Sequence, residues 1–323
     1  MHELKITMLG PSGVGKTSLL TAMYEQFETN IGQTNLQLTP DEESSAILQE
    51  RLWELKSLLE DFEATGGVQG TEGEPGTLRS FQFGLGKKGK KPSLQLQFQD
   101  YPGGYHAVRA TPERKRFVKA LVAECAAVAI AIDAPALMEQ NGKWHEYINR
   151  PQQITDIFKT AYQELDSPRM VILAPVKCEK YLQDEKAAKE LLQRVREGYA
   201  KLIDLLSSES LLSQVVAVVT PVQTVGSVVF SRIEMKEALP HFRFRKTSQD
   251  AEYSPEDSEQ PLRYLLRFLL KLHIEERRWT IFNFLRELFA GDRYLKEAVR
   301  EFAKDCKNSN GFAVIQGQRW LDI

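Results

Sequence analysis

Gly10-Pro11-Ser12-Gly13-Val14-Gly15-Lys16-Thr17 reads GPSGVGKT, the spacing G-x-x-x-x-G-K-[ST] of a loop built to hold phosphates. Glycines at 10, 13 and 15 allow backbone angles that a side chain forbids, and the N–H groups so freed can turn toward phosphate oxygens. Lys16 brings a point charge to the outer phosphates. Thr17 offers a hydroxyl to a magnesium ion. Ser12, Val14 and Ser18 complete the cradle, and the helix that follows turns its positive end toward the same phosphates. The alternating run Leu4–Leu9 before the loop suits a strand and Ser18–Tyr24 after it suits a helix, the context that gives the motif its meaning.

A chain of 323 residues holds one large α/β domain or two smaller ones. Its 42% hydrophobic and 27% charged content is ordinary for a globular protein, and a formal net charge of -2 creates no field that selects nucleic acid or membrane. Cys125, Cys178 and Cys306 are widely spaced, form no C-x-x-C and read as reduced. No signal-peptide pattern is present and no apolar stretch reaches the ~18 residues of a membrane span, so a cytoplasmic location is expected.

Strand and helix patterns alternate along most of the chain, which predicts a mainly parallel sheet with helices on both faces. Val128–Ile132, Met170–Ala174 and Val215–Val219 read as buried parallel strands, with helices at about 151–165 and 184–207. A capping box at Thr39-Pro40-Asp41-Glu42 predicts a helix capped by Thr39, with the stripe Leu48, Leu52, Leu55, Leu59, Phe62 on one face. A glycine-rich loop at 64–77 precedes a hairpin of Leu78–Gly84 and Ser93–Gln99 with a lysine-rich turn. Val225–Thr247 reads as a second hairpin with Pro240 near its turn. Ser254-Pro255-Glu256-Asp257 reads as a helix start, 262–289 as a long helix, 293–305 as a shorter one, and the remainder as an irregular tail.

Two further motifs stand at strand ends. Leu94–Gln99 alternates and ends in Asp100-Tyr101-Pro102-Gly103, a D-x-x-G in which Asp100 can hold magnesium through water and the Gly103 N–H can meet a γ-phosphate. Val171–Ala174 leads to Val176-Lys177-Cys178-Glu179, at the strand edge where ligand residues belong in an open α/β sheet. In this order the three motifs resemble the signatures of the Ras-like GTPases of the translation-factor (TRAFAC) class. The chain is also similar in outline to bacterial GTPases encoded with partner proteins, the double-GTPase families. The resemblance implies an α/β, three-layer P-loop NTPase fold over residues 1–290, with β-hairpin insertions. Insertions relative to a minimal domain are expected at about 39–63, 139–150 and 225–247, followed by a helical extension and tail at 291–323. It implies GTP/GDP and Mg2+ as ligands, with the Lys177 stem on the purine and the Glu179 carboxylate accepting from guanine. By position, Pro221 and Val222 fall in the loop that touches the base, and Thr77 is the residue that would close over magnesium, with Thr71 as runner-up.

The chain departs from that family in three places. Glu179 is one methylene longer than the usual Asp. Val176 stands where an Asn or Thr braces the loop. Gly104 stands where a side chain orients the attacking water. His106 or Arg109 could supply the missing catalytic group; both also fit a solvated surface. The leading expectation is a GTP-binding switch with slow intrinsic hydrolysis that acts through a protein effector or activator, or through a second copy of the chain in a homo-oligomer. A non-hydrolysing nucleotide-binding subunit and a small-molecule kinase or ATPase are the alternatives.

Overall fold

The computed structural model describes residues 2–30, 34–65, 79–100, 111–237, 239–275 and 293–323. Its centre is an eight-stranded sheet in the order β11-β8-β7-β6-β1-β5-β4-β2. The strands are β1 (His2–Leu9), β2 (Leu36–Pro40), β4 (Arg79–Lys87), β5 (Leu94–Asp100), β6 (Ala127–Asp133), β7 (Arg169–Val176), β8 (Val215–Val219) and β11 (Ala313–Gln316). β5, β1, β6, β7 and β8 run parallel. β4 is antiparallel to β5, β2 to β4, and β11 to β8 at the opposite edge. The architecture is therefore a three-layer α/β fold with a mainly parallel sheet.

Every residue of β6, β7 and β8 is buried, as both faces of the sheet are covered. Alternate side chains feed two cores. Ile6, Met8, Ile172 and Val218 pack with α1 (Lys16–Asn30), α10 (Gln260–Ile274) and α11 (Arg293–Ala303). Val128, Ile130, Val171 and Val219 pack with α3 (Pro112–Glu124), α6 (Pro151–Ala161), α7 (Glu185–Gly198) and α8 (Ala200–Leu206). This two-sided burial is what the continuous apolar runs predict.

A second sheet, β3-β10-β9, joins β3 (Glu63–Thr65) to the hairpin of β9 (Val228–Lys236) and β10 (Leu239–Lys246), with Pro240 opposite Met235 beside the turn. Its Phe230, Phe242 and Phe244 form a third cluster with Val225, Leu55 of α2 (Glu42–Ser57) and Ala136 of α4 (Ala134–Met138). Parts of all three segments expected as insertions, 39–63, 139–150 and 225–247, thus meet on one side of the domain.

Four local expectations are corrected. Thr39 and Pro40 end β2, and the cap of α2 is Asp41, whose side chain accepts from the Ser44 N–H at 2.8 Å. Leu48 and Leu55 are buried, but Leu59 and Phe62 lie beyond the helix, and Phe62 is exposed. Residues 254–257 do not start a helix: Ser254 N–H bonds Val225 O at 3.0 Å and Glu256 bridges Gln223, so this segment seals the loop after β8. The tail is not wholly irregular, for β11 adds an edge strand. The second half of the expected helix at 262–289 lies outside the described residues.

The seal requires glycine at 226. Its φ is +80°, and a Cβ there would lie 1.7 Å from Ser254 O. Gly89 has a similar φ of +75° with nothing within 4 Å. Gly89→Ala should therefore cost only the left-handed backbone penalty, about 1–2 kcal/mol. Gly226→Ala should cost at least about 1 kcal/mol more, because backbone must move as well. Urea unfolding of both variants checks this; equal losses would mean that the 254–256 segment yields freely.

Candidate functional site

All three sequence motifs converge on the carboxyl edge of the parallel strands, where β1, β5, β6, β7 and β8 release their loops. Gly10 leaves β1 with φ +145°, and a Cβ on it would sit 2.9 Å from Val14 Cγ2 and 3.1 Å from Ala131 O, so the loop closes tightly on β6. Val14 is fully buried beneath the loop, while Ser12 and Gly13 are exposed at its mouth. A side chain at Gly13 would meet nothing within 4 Å. Ser18 is half-buried in the first turn of α1, whose N-terminus begins at Lys16.

Lys16 and Thr17 are both buried. The Lys16 ammonium donates to Gly10 O at 2.9 Å and Pro11 O at 3.3 Å, and lies 3.8 Å from Asp100 Oδ1. The Thr17 hydroxyl donates to Asp100 Oδ2 at 3.1 Å. The register of β1 on β5 sets Asp100 opposite Met8, which carries the carboxylate to the foot of the loop. Asp100 is only 6% exposed, and its Oδ1 has no hydrogen-bond partner. A buried carboxylate oxygen without a donor is costly, and a cation satisfies it. Magnesium is commonly held by one or two protein oxygens, with phosphates and waters completing the octahedron. Asp100 and Thr17 fit that requirement.

On the other side of the loop, β7 ends in Val176, whose side chain packs toward Gly15, 3.2 Å from where a Cβ would stand. Lys177 takes a left-handed φ of +62°, which returns its side chain over the loop. Its ammonium reaches Gly13 O at 3.4 Å and Asp133 Oδ2 at 2.6 Å, and lies 5.8 Å from the centre of the Phe244 ring. Glu179 is buried, and its Oε1 accepts from the N–H groups of Val225 at 2.9 Å and Gly226 at 3.2 Å. Burial pushes the Glu179 carboxyl up, against the opposing pull of those amides and of Lys177. Pro221 and Val222 are buried below the site, and Val222 N–H and C=O are spent on Pro175 O and Cys178 N–H. The part of this loop that meets Glu179 is Val225–Gly226, four residues further on.

Gly103, His106, Arg109, Thr77 and Thr71 lie outside the described residues. Asp133, Asn149 and His145 belong to no sequence motif, although Asp133, like Asp100, stands at the carboxyl end of a strand beside β1.

No protein-family model matches the sequence, and no curated protein is similar to it. Among solved structures, the chain is similar to the GTPase-like domain of S. cerevisiae Ski7 bound to GTP, at 15% identity and TM-score 0.39 over 69% of this chain and 43% of that one. It is also similar to the bacterial selenocysteine-specific elongation factor EF-Sec, at 14% identity and TM-score 0.30 over 70% of this chain and 26% of that one. A third is Sup35 complexed with GDP, at 11% identity and TM-score 0.29 over 69% and 37%. The chain thus spans less than half of each. Likeness at these scores carries no argument about function.

The raised Glu179 carboxyl has a consequence for stability. A group that holds its proton more tightly when folded stabilises the fold below its unfolded value, and loses that contribution as pH rises through the folded one. Glu179→Gln keeps an acceptor for Val225 and Gly226 and removes the buried charge. Its melting temperature should equal or exceed that of the wild type at pH 7–8, and the difference should shrink as pH falls into the carboxylate range. A Gln variant clearly less stable at neutral pH would show that the charge itself stabilises the loop.

Proposed function

We propose that this chain is a GTP-binding switch that binds Mg2+–GTP at Gly10–Ser18, hydrolyses it slowly alone, and acts through nucleotide-dependent binding of a partner protein. The observation that supports it best is the buried Asp100, with one oxygen on the Thr17 hydroxyl and the other without a hydrogen bond among the described residues, 3.8 Å from the buried Lys16 ammonium. This is a cation-and-phosphate arrangement at the foot of a loop whose mouth is open at Gly13. Asp100 and Thr17 would hold magnesium, which would supply positive charge against the phosphates. Lys16 would exchange the loop carbonyls for the outer phosphates. Guanine preference is supported by a carboxylate, Glu179, that can accept from guanine N1–H and N2–H₂, whereas adenine N1 is itself an acceptor.

Calorimetry with Mg2+–GTP and Mg2+–ATP tests the reading. GTP should bind more tightly than ATP, and Glu179→Ala should erase most of the gap, each charged hydrogen bond being worth about 1.5–3 kcal/mol. Lys16→Ala and Thr17→Ala should each weaken triphosphate binding at least tenfold without unfolding the protein. Wild-type affinity in a folded Lys16→Ala variant would refute the phosphate site; equal GTP and ATP affinity would refute the guanine assignment.

Gly104 supplies no side chain where a water-positioning group is expected, so single-turnover hydrolysis by the purified protein should be slow. The expected rate is on the order of 10⁻⁴ s⁻¹, as in small GTPases without their activators. A rate near or above about 1 s⁻¹, unchanged on dilution, would instead place the whole catalytic set in this chain.

A further inference from the structure

We infer that Asp133 is the positioning residue for Lys177, and that the segment from α4 through Asn149 exists to hold Asp133 in place. The inference rests on the nucleotide reading above and names how its base side is built. Every polar group of Asp133 is engaged. Its N–H donates to Asn149 Oδ1 at 2.8 Å, and its carbonyl accepts from Asn149 Nδ2 at 3.1 Å. Oδ1 accepts from the Ala136 N–H at 2.9 Å, capping α4, and Oδ2 receives the Lys177 ammonium at 2.6 Å. Asn149 is itself fixed. Its Nδ2 also donates to His145 Nδ1 at 3.1 Å, and this acceptor role leaves the ring proton on Nε2, which meets Gly198 O on α7 at 3.2 Å. Asn149 is fully buried and His145 nearly so. α5 (His145–Ile148) and the turn before α6 thus deliver two side chains, one bonded to the Asp133 backbone and the other fixing the first, so that the root of the carboxylate is held.

The arrangement answers the loss of a brace at Val176. Asp133 pairs in register with Val176, so it stands beside the strand residue just before Lys177. With an apolar Val there, nothing in the motif itself restrains the lysine. A free lysine side chain has many rotamers, and ordering it on ligand binding opposes affinity. The short bond to Asp133, with the left-handed backbone at Lys177, sets the stem across the loop before a base arrives. Among the described residues the Asp133 carboxylate bonds Ala136 and Lys177 and no residue of Gly10–Ser18, so its effect should fall on the nucleoside end.

The test compares Mg2+–GTP with Mg2+–tripolyphosphate, a ligand with phosphates and no base, by calorimetry. Asp133→Asn keeps the cap on Ala136 and removes the charge. Asp133→Ser keeps a capping oxygen but is too short to reach Lys177, and serves if the Asn variant fails to fold. Either should weaken GTP binding roughly tenfold and leave tripolyphosphate binding unchanged. In a Lys177→Met background the same substitution should cause no further loss, because the lysine it acts through is gone. Unchanged GTP affinity, an equal loss for both ligands, or a full loss in the Lys177→Met background would overturn the assignment. A wild type that binds tripolyphosphate and GTP while Asp133→Asn is silent overturns this inference alone. A wild type that binds neither overturns the nucleotide reading and this inference with it.

Discussion

Two buried carboxylates, each set against a lysine, organise the molecule's working edge. Asp100 ends β5 and Asp133 ends β6, and these strands flank β1, from which the phosphate loop springs. Asp133 is 2.6 Å from Lys177, and Asp100 is 3.8 Å from Lys16. A buried carboxylate at a strand end is tolerable only with compensating charge and hydrogen bonds. Asp133 is fully supplied from within the chain, whereas Asp100 keeps one oxygen without a donor. The two therefore differ in what they ask of a ligand. Both oxygens of Asp133 are taken up by Ala136 and Lys177, and Asp100 Oδ1 has room for a further partner.

The three segments expected as insertions pack toward the same edge. α2 and the second sheet share the cluster of Leu55, Phe230, Phe242 and Phe244 with Ala136 of α4. Lys180, next to the Glu179 carboxylate, lies 4.9 Å from the Phe230 ring, and Glu139 accepts from both Lys180 and Tyr181 at 2.7 Å. Contacts from these segments thus hold Lys180 and Tyr181 of the 176–181 loop. Its side chains are positioned by long-range contacts, not by the motif alone.

That division explains what could be read in the sequence. The phosphate loop, the parallel strands and both hairpins were legible because their signals are local: a fixed glycine spacing, an apolar run, an alternation. The start of α2 was displaced because Thr39 and Asp41 both suit a cap, and pairing of Pro40 with Phe83 in β4 claimed the first of them for a strand. Ser254–Asp257 carried a helix-start pattern, but Gln223 and Val225 bind its backbone and win. β11 is too short to announce itself and depends on β8, almost a hundred residues earlier. Asp133 was invisible for a different reason: its partners Asn149 and Lys177, and the His145 behind Asn149, form no linear motif.

Glu179 shows why a departure from a motif need not be a loss. Both of its bonds to the 225–226 amides fall on one oxygen, Oε1, so the other is not spent on that loop. A side chain rooted after β7 thereby reaches amides beyond β8. Those amides, in turn, are fixed by the 254–256 segment, which α1 holds through Gln26 Nε2 on Pro255 O at 3.0 Å. A helix that begins at the Gly10–Thr17 loop therefore also steadies the segment that fixes the 225–226 amides beside Glu179, so the two sides of the strand edge are joined through the body of α1.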